Sequence, residues 1–436
     1  MDTYSDTIQK IYNLRGGIID LRLDRMREAL ALFDHPENAF PSIHIAGTNG
    51  KGSTAAMLHS MLARAGYRTA LYTSPHLTSF TERIRLEADE IGEGEVVTIA
   101  DEIWQKTAAA NVPLTFFEFN TVMAFIYFAR RRAEIAVVEV GLGGRLDATN
   151  VITPLVAAIT TISKDHEAYL GPDEISIARE KAGIIKPSIP VVIGHVSKQV
   201  AELLRTISEE NNSPAYLLGE DFSFSLKNDG VFDYTGIKQH YPNVELALVG
   251  RHQRFNASVA LAVVELIRES FPVSDDAIRA GLRQVRWPGR FEVMLEHPTV
   301  ILDGAHNPEG VKALVEELTR RRRGGRLRLL FSTMADKEWE IMLRALAEVA
   351  DEVVFTRVAM ERSADPKLLA QKLAPAIPHR IIPESGAAVR TLIDEANDDD
   401  LIVVAGSLYL LGEVRPVLKD IATARATGSD STDSPF

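Results

Sequence analysis

The stretch Ile43-His44-Ile45-Ala46-Gly47-Thr48-Asn49-Gly50-Lys51-Gly52-Ser53-Thr54 constrains this chain more than any other. Short apolar residues run into a glycine-rich turn that carries a lysine and hydroxyls, and a helix-compatible run from Ala55 to Ala65 follows at once. Strand, flexible turn and helix start, in that order, build an anion site from backbone. The glycines let successive N–H groups converge, and the helix N-terminus adds positive potential. Lys51 would reach the outer phosphates, while Ser53 or Thr54 would donate to phosphate oxygens or help position a metal. The strict Walker spacing is not met, because the hydroxyl comes two places after the lysine. The residues alone therefore leave two readings, a phosphate cradle or a glycine-rich turn with a solvated lysine.

Polar chemistry recurs at the ends of other apolar runs. Ile135 to Val140 reads as a central parallel strand with Glu139 inside its end, and Gly141, Gly143 and Gly144 leave room for a ligand. A carboxylate there is costly unless paired or metal-bound, so Glu139 is a metal ligand, an ion-pair partner or a solvated strand end. A strand from Arg68 stops at Ser74-Pro75-His76, on the edge where open α/β sheets place ligands, although a simple turn also fits. Leu155 to Ile162 forms a strand leading into Ser163-Lys164-Asp165-His166, where His166 is either a metal ligand or a loop histidine. Lys181 falls near the last turn of a helix ended by Gly183, a place where a lysine suits the macrodipole and needs no function.

The remaining pattern is strand and helix in alternation. Residues 1–40 read as packing helices, Thr81 to Leu86 as a short strand, and Ala88 to Val97 as an acidic loop before a helix from Ile99 to Ala109. Another helix runs from Phe116 to Arg130-Arg131-Arg132, whose arginines suit a helix C-terminus. Residues 215–248 look like a small appended sheet, and a strong helix starts near Gly250. Arg286-Trp287-Pro288-Gly289-Arg290 punctuates the chain, after which strands near 300, 327, 352, 380 and 401 alternate with helices. The expected architecture is α/β with two domains: an ATP-binding domain over 1–287 with a mostly parallel sheet, and a smaller Rossmann-like domain over 290–421. A small, polar tail over 422–436 is expected to be disordered.

A length of 436 residues suits two domains, and a formal charge of −12 argues against nucleic acid as a partner. The absence of cysteine removes thiolate nucleophiles and thiolate metal sites. The first residues lack a signal-peptide pattern, and no apolar run approaches the ~20 residues that span a bilayer. A cytoplasmic protein with small-molecule substrates and no membrane partner is the expectation.

These motifs, taken together and in order, resemble those of folylpolyglutamate synthase and dihydrofolate synthase, a branch of the Mur ligase superfamily. The likeness rests on Gly47-Thr48-Asn49-Gly50-Lys51-Gly52-Ser53, Thr73-Ser74-Pro75-His76-Leu77, Phe117-Glu118 and Glu139 through Asn150. It continues through Asp165-His166, Glu180-Lys181-Ala182-Gly183-Ile184, His252-Gln253 with Asn256-Ala257, Pro288-Gly289-Arg290-Phe291 and Asp303-Gly304-Ala305-His306-Asn307-Pro308. The family's own loop reads Gly-Lys-Gly-Ser/Thr, which accounts for the departure from the Walker pattern.

The resemblance implies an ATP-dependent ligase that couples L-glutamate to dihydropteroate or a reduced folate through an acyl phosphate, in the manner of the bifunctional bacterial enzymes. It implies that Thr48, Asn49, Gly50, Lys51, Gly52 and Ser53 hold ATP phosphates, and that Asn256, Arg290 and Asp303 contact the nucleotide. Ser74, Glu139 and His166 would bind Mg²⁺, and a carbamylated Lys181 would serve a second such ion or the transferring phosphate; a monovalent cation is admitted. Lys51, Glu139, His166 and Lys181 would carry catalysis, and Thr115, Phe117 and Asp147 would line the pteroate pocket. A monomer is the family-like expectation. Two alternatives are another Mur-type amino-acid ligase and a P-loop nucleotide-binding regulator. The first would carry a sizeable domain ahead of the loop, where only about 45 residues stand here. The second would need neither the Glu139, His166 and Lys181 set nor a second α/β domain.

Overall fold

The computed structural model describes residues 3–14, 23–165, 167–228, 230–322 and 324–429. The chain forms two compact units, residues 1–247 with 252–286, and residues 248–251 with 287–436. In the first unit the strands are β1 (Ser42–Ala46), β2 (Thr69–Tyr72), β3 (Ile84–Leu86), β4 (Asp89–Glu90), β5 (Ile135–Glu139), β6 (Val156–Thr161), β7 (Val191–His195) and β8 (Ala215–Leu217). They make one sheet in the order β4-β3-β2-β5-β1-β6-β7-β8, parallel from β2 to β8, with antiparallel β3 and β4 at one edge.

The central strands are apolar on both faces because helices cover both, so β1, β2 and β5 are buried along their whole length. Ala136 and Val138 join a core with Tyr72, Phe119, Phe125 and Phe128; Ala157 and Ile159 join another with Ile177, Ile184, Ile193 and Leu204. Sheet order makes the ends of β2, β5, β1 and β6 neighbours, so the loops that follow them, which carry Ser74, Gly141, Gly47 and Ser163, share one edge.

Three strands, β9 (Ser223–Asn228), β10 (Val231–Thr235) and β11 (His240–Glu245), form a separate antiparallel sheet, the appended element expected over 215–248. Glu265 of the helix Arg251–Ile267 fastens it by accepting from the Tyr234 hydroxyl at 2.7 Å and from the backbone N–H groups of Lys238 and Gln239.

The second unit holds β12 (Glu292–Glu296), β13 (Thr299–Leu302), β14 (Leu327–Phe331), β15 (Glu352–Arg357), β16 (His379–Glu384) and β17 (Leu401–Ala405). Their order is β12-β13-β17-β14-β15-β16, parallel except for the antiparallel β12–β13 pair.

Four local readings change. The acidic segment read as a loop opens a helix at Glu93, where Glu93 and Glu95 face the positive N-terminal end. The run from Thr81 begins as a 3-10 turn over Phe80–Arg83, capped by Ser79, before the short β3. β12 was not foreseen. The last helix continues over Leu408–Ser429, past the point where disorder was expected to begin at 422; residues 430–436 lie outside the described residues.

Two glycines let the loop after β5 press against the helix Glu174–Ala182. A β-carbon at Gly144 would lie 2.9 Å from the carbonyl oxygens of Glu180 and Lys181, and one at Gly183 would lie 2.3 Å from Arg145 Cα. The Arg145 N–H donates to Glu180 O across this contact at 2.8 Å. Gly183→Ala is therefore expected to overpack the contact and destabilise the chain by about 1–3 kcal/mol. A urea denaturation midpoint unchanged from wild type would contradict this packing.

Candidate nucleotide and metal site

The loop after β1 is held open by β6. The Thr48 N–H donates to Thr161 O at 2.8 Å, the Asn49 N–H to Thr161 Oγ1 at 3.0 Å, and Thr160 Oγ1 to Asn49 O at 2.7 Å. Thr48 Oγ1 donates to Ser163 O and accepts from its N–H. These bonds occupy the hydroxyl of Thr48 and the N–H groups of Thr48 and Asn49 in bracing the loop. Gly50 caps the following helix at φ 88°, a left-handed conformation that favours glycine, and the Asn256 side chain sits where its β-carbon would be. The helix Lys51–Arg64 starts at Lys51 itself, so the lysine and the N–H groups of Gly52 and Ser53 occupy its positive first turn.

The Lys51 Nζ folds back to donate to Gly47 O at 3.0 Å and Thr48 O at 3.1 Å. Lys181 Nζ, only 4% exposed, donates to the same Gly47 oxygen at 2.8 Å. Burial first, and then the nearby Lys51 charge, bring Lys181 down to a pKa of about 7, while Asp165 and Asp147 pull the other way. The reading of Lys181 as a surplus cation at a helix end therefore fails on burial: it is inside, against the phosphate loop.

Beside this pair, β5 delivers Glu139 in register with Ile45 of β1. Its carboxylate is buried and accepts the Ser74 N–H through Oε2 at 3.1 Å, so Ser74 and Glu139 meet as the strand order requires. Asp147 is buried too, accepting from the Leu142 N–H at 2.9 Å, the Thr149 N–H at 3.0 Å and the Thr149 hydroxyl at 2.5 Å. Burial raises its carboxyl above the usual range, and those donors oppose the shift. The Phe117 ring covers Gly141, where a β-carbon would meet it at 2.4 Å, and stands 6.1 Å from the Tyr72 ring.

Thr115 has a structural task that the sequence reading did not assign. It caps the helix Phe116–Arg130 in a reciprocal pair with Glu118, and Arg25 grips Glu118 at 2.8–3.1 Å. Asn256 donates to Gln253 Oε1 at 3.0 Å. Arg290 and Asp303 belong to the second unit, where Asp303 accepts the Phe291 and Ala305 N–H groups and Arg290 donates to Gly289 O. His166 lies outside the described residues. His76, at the strand end but given no role, accepts from Arg83 Nε at 2.7 Å through Nδ1; its Nε2 meets the Tyr12 hydroxyl at 3.2 Å.

The donor set suits a hard divalent cation. Among the described residues no three His, Asp or Glu side chains are grouped closely enough to hold a metal unaided. An ion at Glu139 and Ser74 would draw its other ligands from phosphate oxygens and water, as magnesium does. No helix among the described residues is long and apolar enough to cross a membrane.

Comparison with known proteins agrees with this geometry. Residues 45–264 match the Mur ligase middle domain, and residues 289–408 match the Mur ligase glutamate ligase domain. The dihydrofolate synthase/folylpolyglutamate synthase of Bacillus subtilis is 35% identical over 419 residues, covering 91% of this chain and 95% of that one. The Escherichia coli FolC structure in complex with DHPP and ADP superposes with a TM-score of 0.88 at 30% identity, covering 98% of this chain and 99% of that one. A bifunctional folylpolyglutamate synthase/dihydrofolate synthase of Yersinia pestis, complexed with AMPPNP and Mn ion, matches with a TM-score of 0.86 at 32% identity, covering 96% of this chain and 98% of that one. With both domains present in order and this likeness sustained along its length, the chain belongs to the Mur ligase family, in the branch of the dihydrofolate and folylpolyglutamate synthases, ATP-dependent ligases that join glutamate to a pteroate or folate carboxylate.

Proposed function

We propose that this ligase is bifunctional, adding the first glutamate to dihydropteroate and further glutamates to reduced folates in the cytoplasm, as a monomer. The observation that carries the ligase chemistry is the meeting of two lysine amines on Gly47 O, at the sheet edge where β5 ends in the buried Glu139. The bifunctional reading is supported by relatives of that name. Cations and carboxylates at one sheet edge suit a reaction that must hold ATP phosphates and a substrate carboxylate together.

A carboxylate is a poor acyl donor, because its carbon is weakly electrophilic and an oxide ion is a poor leaving group. One of its oxygens attacks the γ-phosphorus of ATP and ADP leaves, giving an acyl phosphate. The glutamate amine attacks the acyl carbon, the tetrahedral adduct loses a proton and expels phosphate, and an amide remains. Lys51 swings from its loop carbonyls to the outer phosphates, and the N–H groups at the start of its helix hold phosphate oxygens. Glu139 and the Ser74 hydroxyl are the residues that would hold Mg²⁺, with His166, and the ion when bound supplies positive charge against the transferring group. Phe117 offers an aromatic face, and Asp147 an acceptor, to the pteroate ring system. Asn256, which lies against Gly50, is assigned to the nucleotide; Arg290 and Asp303 are assigned to it on the resemblance alone.

ADP release should require both glutamate and a pteroate-type substrate, with product formed from dihydropteroate and from tetrahydrofolate supplied separately. Comparable ATP hydrolysis without either would favour a nucleotide-binding regulator. Lys51→Ala and Glu139→Ala should each lower kcat by about 10²–10³, the usual loss for a positioned charge-stabilising group, with unchanged circular dichroism. Wild-type ligation by either folded variant would contradict the assignment.

Lys181 is assigned as the carbamylated residue. Its neutral amine would attack carbon dioxide and release a proton, leaving an anionic N-carboxylate. With a folded pKa of about 7 rather than the ordinary 10.5, its neutral fraction rises through pH 7. Labelling with ¹³C-bicarbonate should give a carbamate carbon resonance at pH 8 that fades by pH 6 and is absent in Lys181→Ala. No such resonance in the wild-type chain at pH 8 would refute the modification.

A further inference from the structure

The buried imidazole of His44 has no part in the chemistry just described. It lies at the centre of β1, fully buried, opposite Val138 on one side and Ala157 on the other. Its Nε2 is 2.8 Å from Thr149 Oγ1, and its Nδ1 is buried with no hydrogen-bond partner. Thr149 Oγ1 is in turn 2.5 Å from Asp147 Oδ1. Three polar side chains thus form a row from the core of the sheet to the loop after β5, joining residues 105 positions apart.

The direction of that row follows from its proton count. Burial and the charge of Lys186 keep the imidazole neutral, with a pKa of about 3, so it carries one N–H. A proton on Nδ1 would be a buried donor with nothing to receive it, whereas on Nε2 it meets the Thr149 oxygen. The threonine hydroxyl has a single proton. With its oxygen accepting from His44, that proton is free to point at Asp147. The carboxylate then receives the Thr149 hydroxyl and N–H on Oδ1 and the Leu142 N–H on Oδ2. These donors fix its plane and hold it as an acceptor in a place where burial favours the protonated form.

We infer that His44 is a positioning residue: through Thr149 it orients the Asp147 carboxylate as a fixed acceptor for a ligand bearing N–H donors, an amino-substituted heteroaromatic ring. This rests on the reading above that Asp147 lines the pteroate pocket. A core histidine with a merely structural role would not influence one substrate in preference to the other.

The test is steady-state kinetics with dihydropteroate and with ATP varied separately. His44→Leu removes the donor and should raise the KM for dihydropteroate by about 2–10-fold, the usual worth of a hydrogen bond between neutral groups, and leave the KM for ATP near wild type. His44→Gln, whose amide can donate to the same oxygen, should restore most of that loss. Thr149→Val, which also removes the hydroxyl donor to the carboxylate, should raise the same KM at least as far, and it serves alone if the leucine variant fails to fold. The double variant should be no worse than Thr149→Val alone, because His44 acts only through that hydroxyl. Asp147→Asn separates the two layers of the argument. If it leaves the KM for dihydropteroate unchanged, the pocket assignment of Asp147 fails, and this inference with it. If it raises that KM while Thr149→Val and His44→Leu do not, the row is structural and this inference alone is overturned. Equal losses in His44→Leu and His44→Gln, falling on kcat or on both substrates together, would also overturn it.

Discussion

Two lysine amines share the carbonyl oxygen of Gly47, and the chemistry of the site depends on that crowding. Lys51 reaches the oxygen from the loop's own helix, and Lys181 reaches it from a helix more than a hundred residues later. Two full positive charges so close repel strongly where water is excluded. Burial first, and this repulsion second, bring the Lys181 amine down to a pKa of about 7, and an anion placed between the two amines would relieve the repulsion. On the proposed reading of this site, a phosphate or carboxylate oxygen would supply that anion.

The fold brings this about with little irregular backbone. Parallel strands β2, β5, β1 and β6 end on one edge, so the loop of each is a neighbour of the next. Threonines of β6 brace the phosphate loop, β5 sends Glu139 to meet the Ser74 N–H, and Gly144 and Gly183 let the next loop press against the helix that carries Lys181. Each contact spans a long stretch of sequence, yet each is the ordinary consequence of adjacent strand ends.

What could be read beforehand, and what could not, divides along the same line. The cradle was legible because its signal is local: a strand, glycines and a lysine within a dozen residues. Glu139 was legible because a carboxylate ending an apolar run needs a reason. The acidic stretch at Glu93 misled, since acidity marks a helix start as well as a loop. Ala422 to Ser429 misled because small residues suit a disordered tail, while alanine is also the best helix former. Lys181 gave no local sign at all; its burial depends on where the loop after β5 lands. Thr115, by contrast, stands three residues before Glu118 in a capping pattern that is local, while the grip of Arg25 on that glutamate depends on tertiary packing.

The contact of Tyr12 with His76 carries a consequence for how this enzyme tolerates change. Tyr12 sits on the first helix, over Tyr4–Asn13, and its hydroxyl meets a histidine two residues after Ser74, with Arg83 holding the ring from the other side. The leading helix therefore leans on the turn that presents Ser74 to Glu139. Substitutions on this helix would be felt at the turn that carries Ser74 as well as in the core that Ile11 helps to fill.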